Sequence, residues 1–148
     1  MSESQQGPRT SRPAGLSGAE LLSLLQELLA GEIAGARVCL QSARSASDPY
    51  GPLLSQIHRD EAHWCDLLTR HIKRLGGEPA SQAGPFLAKA MAIADLRERM
   101  AFLNRGQAWV VRKLRESLPA IQDQSLRSDL SEMLEAHQDN IDKVAALN

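Results

Sequence analysis

The sequence predicts an all-α chain folded as an antiparallel four-helix bundle with a long crossover between its second and third helices. Three observations carry this. Leu and Ala abound while aromatic residues make up only 3%, a composition that suits helices better than sandwiches or barrels rich in β-branched and aromatic residues. Apolar residues recur at helical spacing over four long stretches. The first and last connections are short and the middle one is long, so two antiparallel hairpins are joined by one crossover.

Each element has its own signal. Residues 1–16 are rich in Ser, Gln, Pro, Gly and Arg and lack an apolar core, so they predict a disordered N-terminal tail and no secretory signal. The bundle domain is expected over residues 17–148. Ser17-Gly18-Ala19-Glu20 is a capping box. From it Leu21, Leu25, Leu28, Leu29, Ile33, Ala36, Cys39 and Leu40 repeat to about Ala46, before the breaking run Asp48-Pro49-Tyr50-Gly51-Pro52. A second helix from about Pro52 to Leu75 carries Leu53, Ile57, Trp64, Leu68, Ile72 and Leu75, and Gly76-Gly77 ends it. The crossover, punctuated by Pro79, Gly84 and Pro85, is expected to hold a short helix from Pro85 to Ile93. Asp95, with Glu98 three residues on, starts a third long helix ending near Ser117. The fourth begins at about Pro119 or Ser125 and runs to Leu147, with Leu126, Leu130, Met133, Leu134, Ile141 and Val144 on one stripe.

Composition narrows the function classes. Charged residues are 24% of the chain and the net charge is −1, which is not the basic footprint of a nucleic-acid binder. No apolar run approaches the roughly 18 residues that span a membrane. The two cysteines, Cys39 and Cys65, fall on or beside apolar faces and read as buried reduced thiols, consistent with a cytoplasmic location.

The informative residues are polar ones at apolar angles. At 100° per residue, Glu32 falls in the middle of the first helix's apolar face, between Leu28 and Ile33. Glu61 falls inside the second helix's face, between Ile57 and Trp64, and Asp60 is at its border. Asn104 and Gln107 face inward on the third long helix, and His137 sits among Met133, Leu134 and Ile141 on the fourth. Counting about 1.5 Å of rise per residue along antiparallel helices puts Glu32, Glu61, Asn104, Gln107 and His137 in one central layer. A buried carboxylate costs several kcal/mol unless paired or coordinated, so Glu32 and Glu61 together call for a cation, a shared proton or an Arg. His71 shares the inner face nearer the bundle end and reads as structural. His58 and His63 point elsewhere and read as solvated.

These residues resemble the ferritin-like superfamily of di-iron carboxylate proteins. There, two helices each supply a Glu and the other two each supply a Glu-x-x-His. Glu32 matches the first-helix Glu, Glu61 the Glu of a motif, and His137 the His of another. The match is partial. Trp64 stands where the second-helix His would be, Leu134 where the fourth-helix Glu would be, and Asn104 or Gln107 replaces the third-helix carboxylate. The stretches Gly31–Arg37, Arg59–Ala62 and Ala101–Gln107 are also similar to a family of small uncharacterised bacterial ferritin-like proteins. The resemblance implies the fold and no activity. No complete metal motif, nucleophile–base pair or phosphate loop is present, so an efficient di-iron enzyme is not expected. Two readings follow. Glu32, Glu61 and His137 hold a single Fe, Mn or Zn ion, with or without oxidoreductase activity. Alternatively they form a hydrogen-bonded network with Asn104 and Gln107 that fixes helix register.

Gly31 and Gly35 share one side of the first helix, where Gly costs about 1 kcal/mol against Ala, and close approach of a neighbouring helix is the expected compensation. Gly106 is read the same way. Phe102 and Trp109, flanked by Arg105 and Arg112, lie away from the core stripe of their helix. Either the crossover, with Phe86 and Met91, covers them, or they form an exposed seam for a partner or a homodimer.

Overall fold

The computed structural model describes residues 15–148. The tail expected over residues 1–16 lies outside them except for its last two residues. Leu16 belongs with the fold: its N–H donates to the Ala120 carbonyl at 3.2 Å, and its side chain packs on the core.

The long helices are α1 (Gly18–Ala43), α2 (Tyr50–Arg74), α4 (Leu96–Ser117) and α5 (Gln124–Leu147), with the short α3 (Phe86–Met91) in the crossover. The predicted capping box forms. Glu20 N–H donates to Ser17 Oγ at 3.1 Å, and Ser17 N–H donates to Glu20 Oε1 at 2.8 Å. Asp95 caps α4 by accepting from Glu98 N–H at 2.9 Å. The cap of α5 is Asp123, which accepts from Leu126 N–H at 3.0 Å after a 3-10 turn over Leu118–Ala120. Gly76, at φ +88°, supplies the left-handed residue past α2.

Some boundaries move. α1 stops at Ala43 instead of Ala46, α2 starts at Tyr50 instead of Pro52, and α3 is shorter than Pro85–Ile93. Leu40, read into the core face, is 44% exposed. The buried stripe of α1 passes through Glu32, Gly35, Val38, Cys39 and Ser42, and Leu40 falls beyond its edge on the side of exposed Arg37. Leu134 and Ile141 are only half-buried.

The topology is two antiparallel hairpins joined by a crossover. α1 packs on α2 and α4, and α5 packs on α2 and α4. The end of α2 lies beside the start of α1, where Gln26 Nε2 donates to the Glu78 carbonyl. α4 starts at the opposite end, where Arg99 Nη1 donates to Ser42 Oγ at 3.0 Å. The crossover therefore travels the length of the bundle, and α3 rests on α1 and α4.

The core is split in two. A lower cluster joins Leu25, Leu28, Leu68, Leu114, Leu126, Leu130 and Met133. An upper cluster joins Val38, Cys39, Leu54, Ile57, Met100, Leu103 and Val144. Between these clusters along the helices lie Glu32, Glu61, Gln107 and His137, all buried. A polar layer between two apolar ones is the mid-bundle arrangement that the helical angles predict.

Candidate metal centre

Three helices bring the titratable side chains together. Glu32 enters from α1 and Glu61 from α2, one turn below Ile57 on the same face. His137 enters from α5, one turn after Met133. Their exposures are 1%, 3% and 1%. His137 Nε2 lies 3.0 Å from Glu32 Oε2 and 3.5 Å from Glu61 Oε2. One ligand atom from each residue lies within 4.8 Å of the others.

Two local features aim these groups. His137 Nδ1 is 2.9 Å from the Met133 carbonyl, which only accepts. Nδ1 therefore carries a proton, and Nε2 is the atom turned to the carboxylates. A backbone carbonyl on the remote ring nitrogen is the usual orienting partner of a metal-ligating histidine. Gly35 makes room for Glu61: a Cβ there would stand 1.8 Å from Glu61 Oε1. Gly35 thus serves close approach as expected, but of a side chain from the next helix rather than of its backbone.

The electrostatics are those of an under-compensated site. Burial, then the Glu32 charge, then Asp60 push the Glu61 carboxyl well above its usual range. Burial alone would lower His137, but the Glu32 charge and hydrogen bond, the Met133 carbonyl and Asp60 together outweigh it and raise its pKa. Glu32 Oε1 and Glu61 Oε1 are both buried without a hydrogen-bond partner among the described residues.

The amides form a chain beside the carboxylates. Asn104 Nδ2 donates to the Ile141 carbonyl at 3.0 Å, so Asn104 Oδ1 is left to accept from Gln107 Nε2 at 3.5 Å. Gln107 Oε1 is the free end, buried and without a partner among the described residues. Asn104 is half-buried and joins α4 to α5. Neither amide hydrogen-bonds to Glu32, Glu61 or His137, so the continuous five-residue network entertained from sequence is not what forms.

A neighbouring network escaped sequence reasoning. Gln56 Nε2 donates to Asp60 Oδ2 at 3.0 Å and to Asn140 Oδ1 at 2.8 Å, and Asn140 Nδ2 donates to Asp60 Oδ2 at 3.1 Å. It ties α2 to α5 beside the centre and holds the Asp60 charge near Glu61 and His137. Asn140, three residues after His137 and therefore on the same face, was the available signal.

The other candidates separate cleanly. His71 sits at the lower end, with Nε2 2.7 Å from Asp129 and Nδ1 2.8 Å from Arg74 Nη2, as the structural reading expects. His63 is exposed and His58 half-buried. Cys39 and Cys65 are free thiols. Burial, reinforced by the Glu61 and Glu32 charges, raises the first well above 9.0. Burial followed by the Glu32 and Glu61 charges pushes the second up to about 12. Trp64 packs in the lower cluster with its indole N–H unpartnered.

Beside the centre, between α1, α4 and the crossover, is a cavity of about 530 Å³ reached by Glu32, Glu61 and Gln107. Phe102 and Trp109 line it and are half-buried. The crossover covers Phe102, as one of the two readings of this pair expects. Phe86 stacks on Phe102 with ring centroids 4.8 Å apart, and Gly106 leaves it room.

Two carboxylates and an imidazole make a donor set suited to Fe, Mn or Zn. Neighbouring ligands of one such ion stand about 3.0 to 3.4 Å apart at metal–ligand distances near 2.1 Å, and the two distances from His137 Nε2 fall close to this. Among the described residues Glu32, Glu61 and His137 are the only such group of acidic, His and Cys side chains. No helix of the described residues is long and apolar enough to cross a membrane.

Among solved structures the chain is similar to a ferritin-like, diiron-carboxylate protein from Bacillus anthracis str. Ames. The likeness has a TM-score of 0.78 at 20% identity and covers 89% of this chain and 99% of that one. At that identity it speaks to the fold, which is ferritin-like. No match was found among curated proteins. The model of a family described as a domain of unknown function, DUF6306, matches residues 19–146, and the chain belongs to that family.

Proposed function

We propose that the protein binds a single divalent transition-metal ion, Fe, Mn or Zn, through Glu32, Glu61 and His137, and is not a di-iron enzyme. The observation that carries this is the pair of buried, unpartnered carboxylate oxygens, Glu32 Oε1 and Glu61 Oε1, beside an imidazole whose Nε2 faces both acids. A proton on Glu61 would reduce the charge but leave acceptors unpaired. A cation satisfies both carboxylates at once, and two carboxylates balance its double charge.

A second ion lacks ligands among the described residues. Trp64 and Leu134 occupy motif positions with side chains that cannot coordinate, and Gln107 offers an amide oxygen where the resemblance expects a carboxylate. The chain supplies orientation through the Met133 carbonyl and Gly35, and apolar walls through the clusters above and below. When bound, the ion would supply Lewis acidity or one-electron chemistry at the end of the cavity.

Elemental analysis of purified protein, repeated after reconstitution with Fe(II), Mn(II) and Zn(II), tests the proposal. The expected result is one ion per chain, lost in Glu32→Gln and in His137→Gln. Two ions per chain, no ion under any condition, or full stoichiometry in both variants would overturn it.

A further inference from the structure

We infer that the cavity beside the centre is a binding site for a neutral, planar, largely apolar molecule bearing one hydrogen-bond donor, held with that donor against Gln107 Oε1. The first argument is the placement of aromatic residues. The chain has two Phe, two Trp and one Tyr, and both Phe and one Trp, namely Phe86, Phe102 and Trp109, line this one cavity. Aromatic walls favour planar ligands through offset and edge contacts. The volume, about 530 Å³, falls within the roughly 300–1,000 Å³ typical of small-molecule pockets.

Gly31 supplies an independent argument. It sits in mid-helix, where glycine is unfavourable, yet a Cβ there would meet only Trp109 Cζ3, at an ordinary 3.9 Å. The neighbouring helix does not require a glycine at this position. What the missing side chain preserves is the open space of the cavity. Gly35 and Gly106, by contrast, are each explained by a group that fills the place of their Cβ, Glu61 and Phe86.

The hydrogen-bond chain sets the polarity of the ligand. The Ile141 carbonyl orients Asn104, Asn104 Oδ1 accepts from Gln107 Nε2 at 3.5 Å, and Gln107, a residue of the cavity lining, is left with Oε1 buried and without a partner among the described residues. Glu32 Oε1 and Glu61 Oε1 are acceptors too. A ligand with an O–H or N–H donor completes Gln107, whereas one with only acceptors leaves it unpaired. The site itself stands without a metal. That the donor end also faces the reacting centre rests on the metal-binding reading.

The test uses 2-naphthol as probe and naphthalene as the comparator without a donor, on metal-free and Zn(II)-loaded protein. The two Trp indole N–H signals are followed by two-dimensional NMR. Trp109 is expected to shift saturably with 2-naphthol, while Trp64, which does not line the cavity, serves as the internal control. Gly31→Leu, which fills the space and suits a helix better, is expected to abolish the shift while the protein stays folded. Gln107→Leu is expected to weaken 2-naphthol about tenfold and to leave naphthalene unchanged. No saturable Trp109 shift, binding that survives Gly31→Leu, or an unchanged 2-naphthol-to-naphthalene preference in Gln107→Leu would overturn the inference. Zn(II) stoichiometry measured on the same samples separates its failure from failure of the metal reading.

Discussion

Two buried histidines meet carboxylates in this bundle, and the two are satisfied to different degrees. At the lower end His71 is satisfied on both nitrogens by Asp129 and Arg74, and Arg74 is in turn paired with Asp123 at 2.9 Å. Asp129 and Arg74 keep contact with solvent, with side-chain exposures of 33% and 46%. In the centre His137 faces two acids, and among the described residues no Arg or Lys is paired with them and one oxygen of each acid has no partner. The first cluster is a finished structural device. The second leaves a carboxylate oxygen on each acid that nothing among the described residues pairs. A buried His–carboxylate pair is therefore not diagnostic by itself; what marks a site is the polar capacity left over.

The largest break between the two clusters should come from removing each imidazole. His137→Ala strips a fully buried carboxylate of its hydrogen-bonded partner and is expected to cost about 3–5 kcal/mol. His71→Ala, at the wetter end, is expected to cost about 1–2 kcal/mol. Urea unfolding of both variants checks this, and equal costs would erase the distinction. Gly35→Ala comes next. Its Cβ would overlap Glu61 Oε1, so about 1–3 kcal/mol of overpacking cost is expected, together with loss of metal binding. Gly31→Ala on the same helix is expected to stabilise by up to about 1 kcal/mol. The pair of measurements separates room made for a site residue from helix propensity.

The pH dependence sharpens the same comparison. Glu61 and His137 both have pKa values raised above their ordinary values of 4.5 and 6.5. Glu61 keeps its proton in the fold at pH values where the unfolded chain has lost it, and so does His137. The native metal-free state thus binds more protons, and its stability falls as pH rises. The His137 contribution is complete below about pH 6.5 and is lost through its raised value, while the Glu61 penalty grows from about pH 4.5 upward. Thermal unfolding of metal-free protein should show the melting temperature falling from weakly acidic to alkaline pH. Glu61→Gln should flatten that slope, and an unchanged slope would remove the electrostatic account of the centre. The smallest expected effect is at the lower end, where Asp123→Ala removes the α5 cap and an Arg74 partner for about 1 kcal/mol, with no change in metal binding.

The parts legible in the sequence are those that depend on one helix at a time. Ser17, Glu20 and Asp95 mark helix starts because capping is local, and Glu32, Glu61 and His137 stand out because each is polar at an apolar angle of its own helix. What could not be read depends on distances between helices. Nothing local says that Gly35 faces the Glu61 carboxylate while Gly31 faces open space, or that Phe86 would reach back to Phe102 and turn an apparent surface seam into a cavity wall. Asn140 is not legible as part of a network, because its partners, Gln56 and Asp60, lie on another helix and at the border of its face. Asp123 is hard to read as the cap because the 3-10 turn around Pro119 obscures where α5 begins.

The most direct test of a single-ion centre is X-ray absorption at the metal edge of protein loaded with Mn(II), Fe(II) or Zn(II). The account predicts a first shell of nitrogen and oxygen donors only, with one imidazole, and no metal neighbour. A second metal scatterer at about 3.5–4 Å, the separation of two-metal sites, or a shell without imidazole, would contradict it.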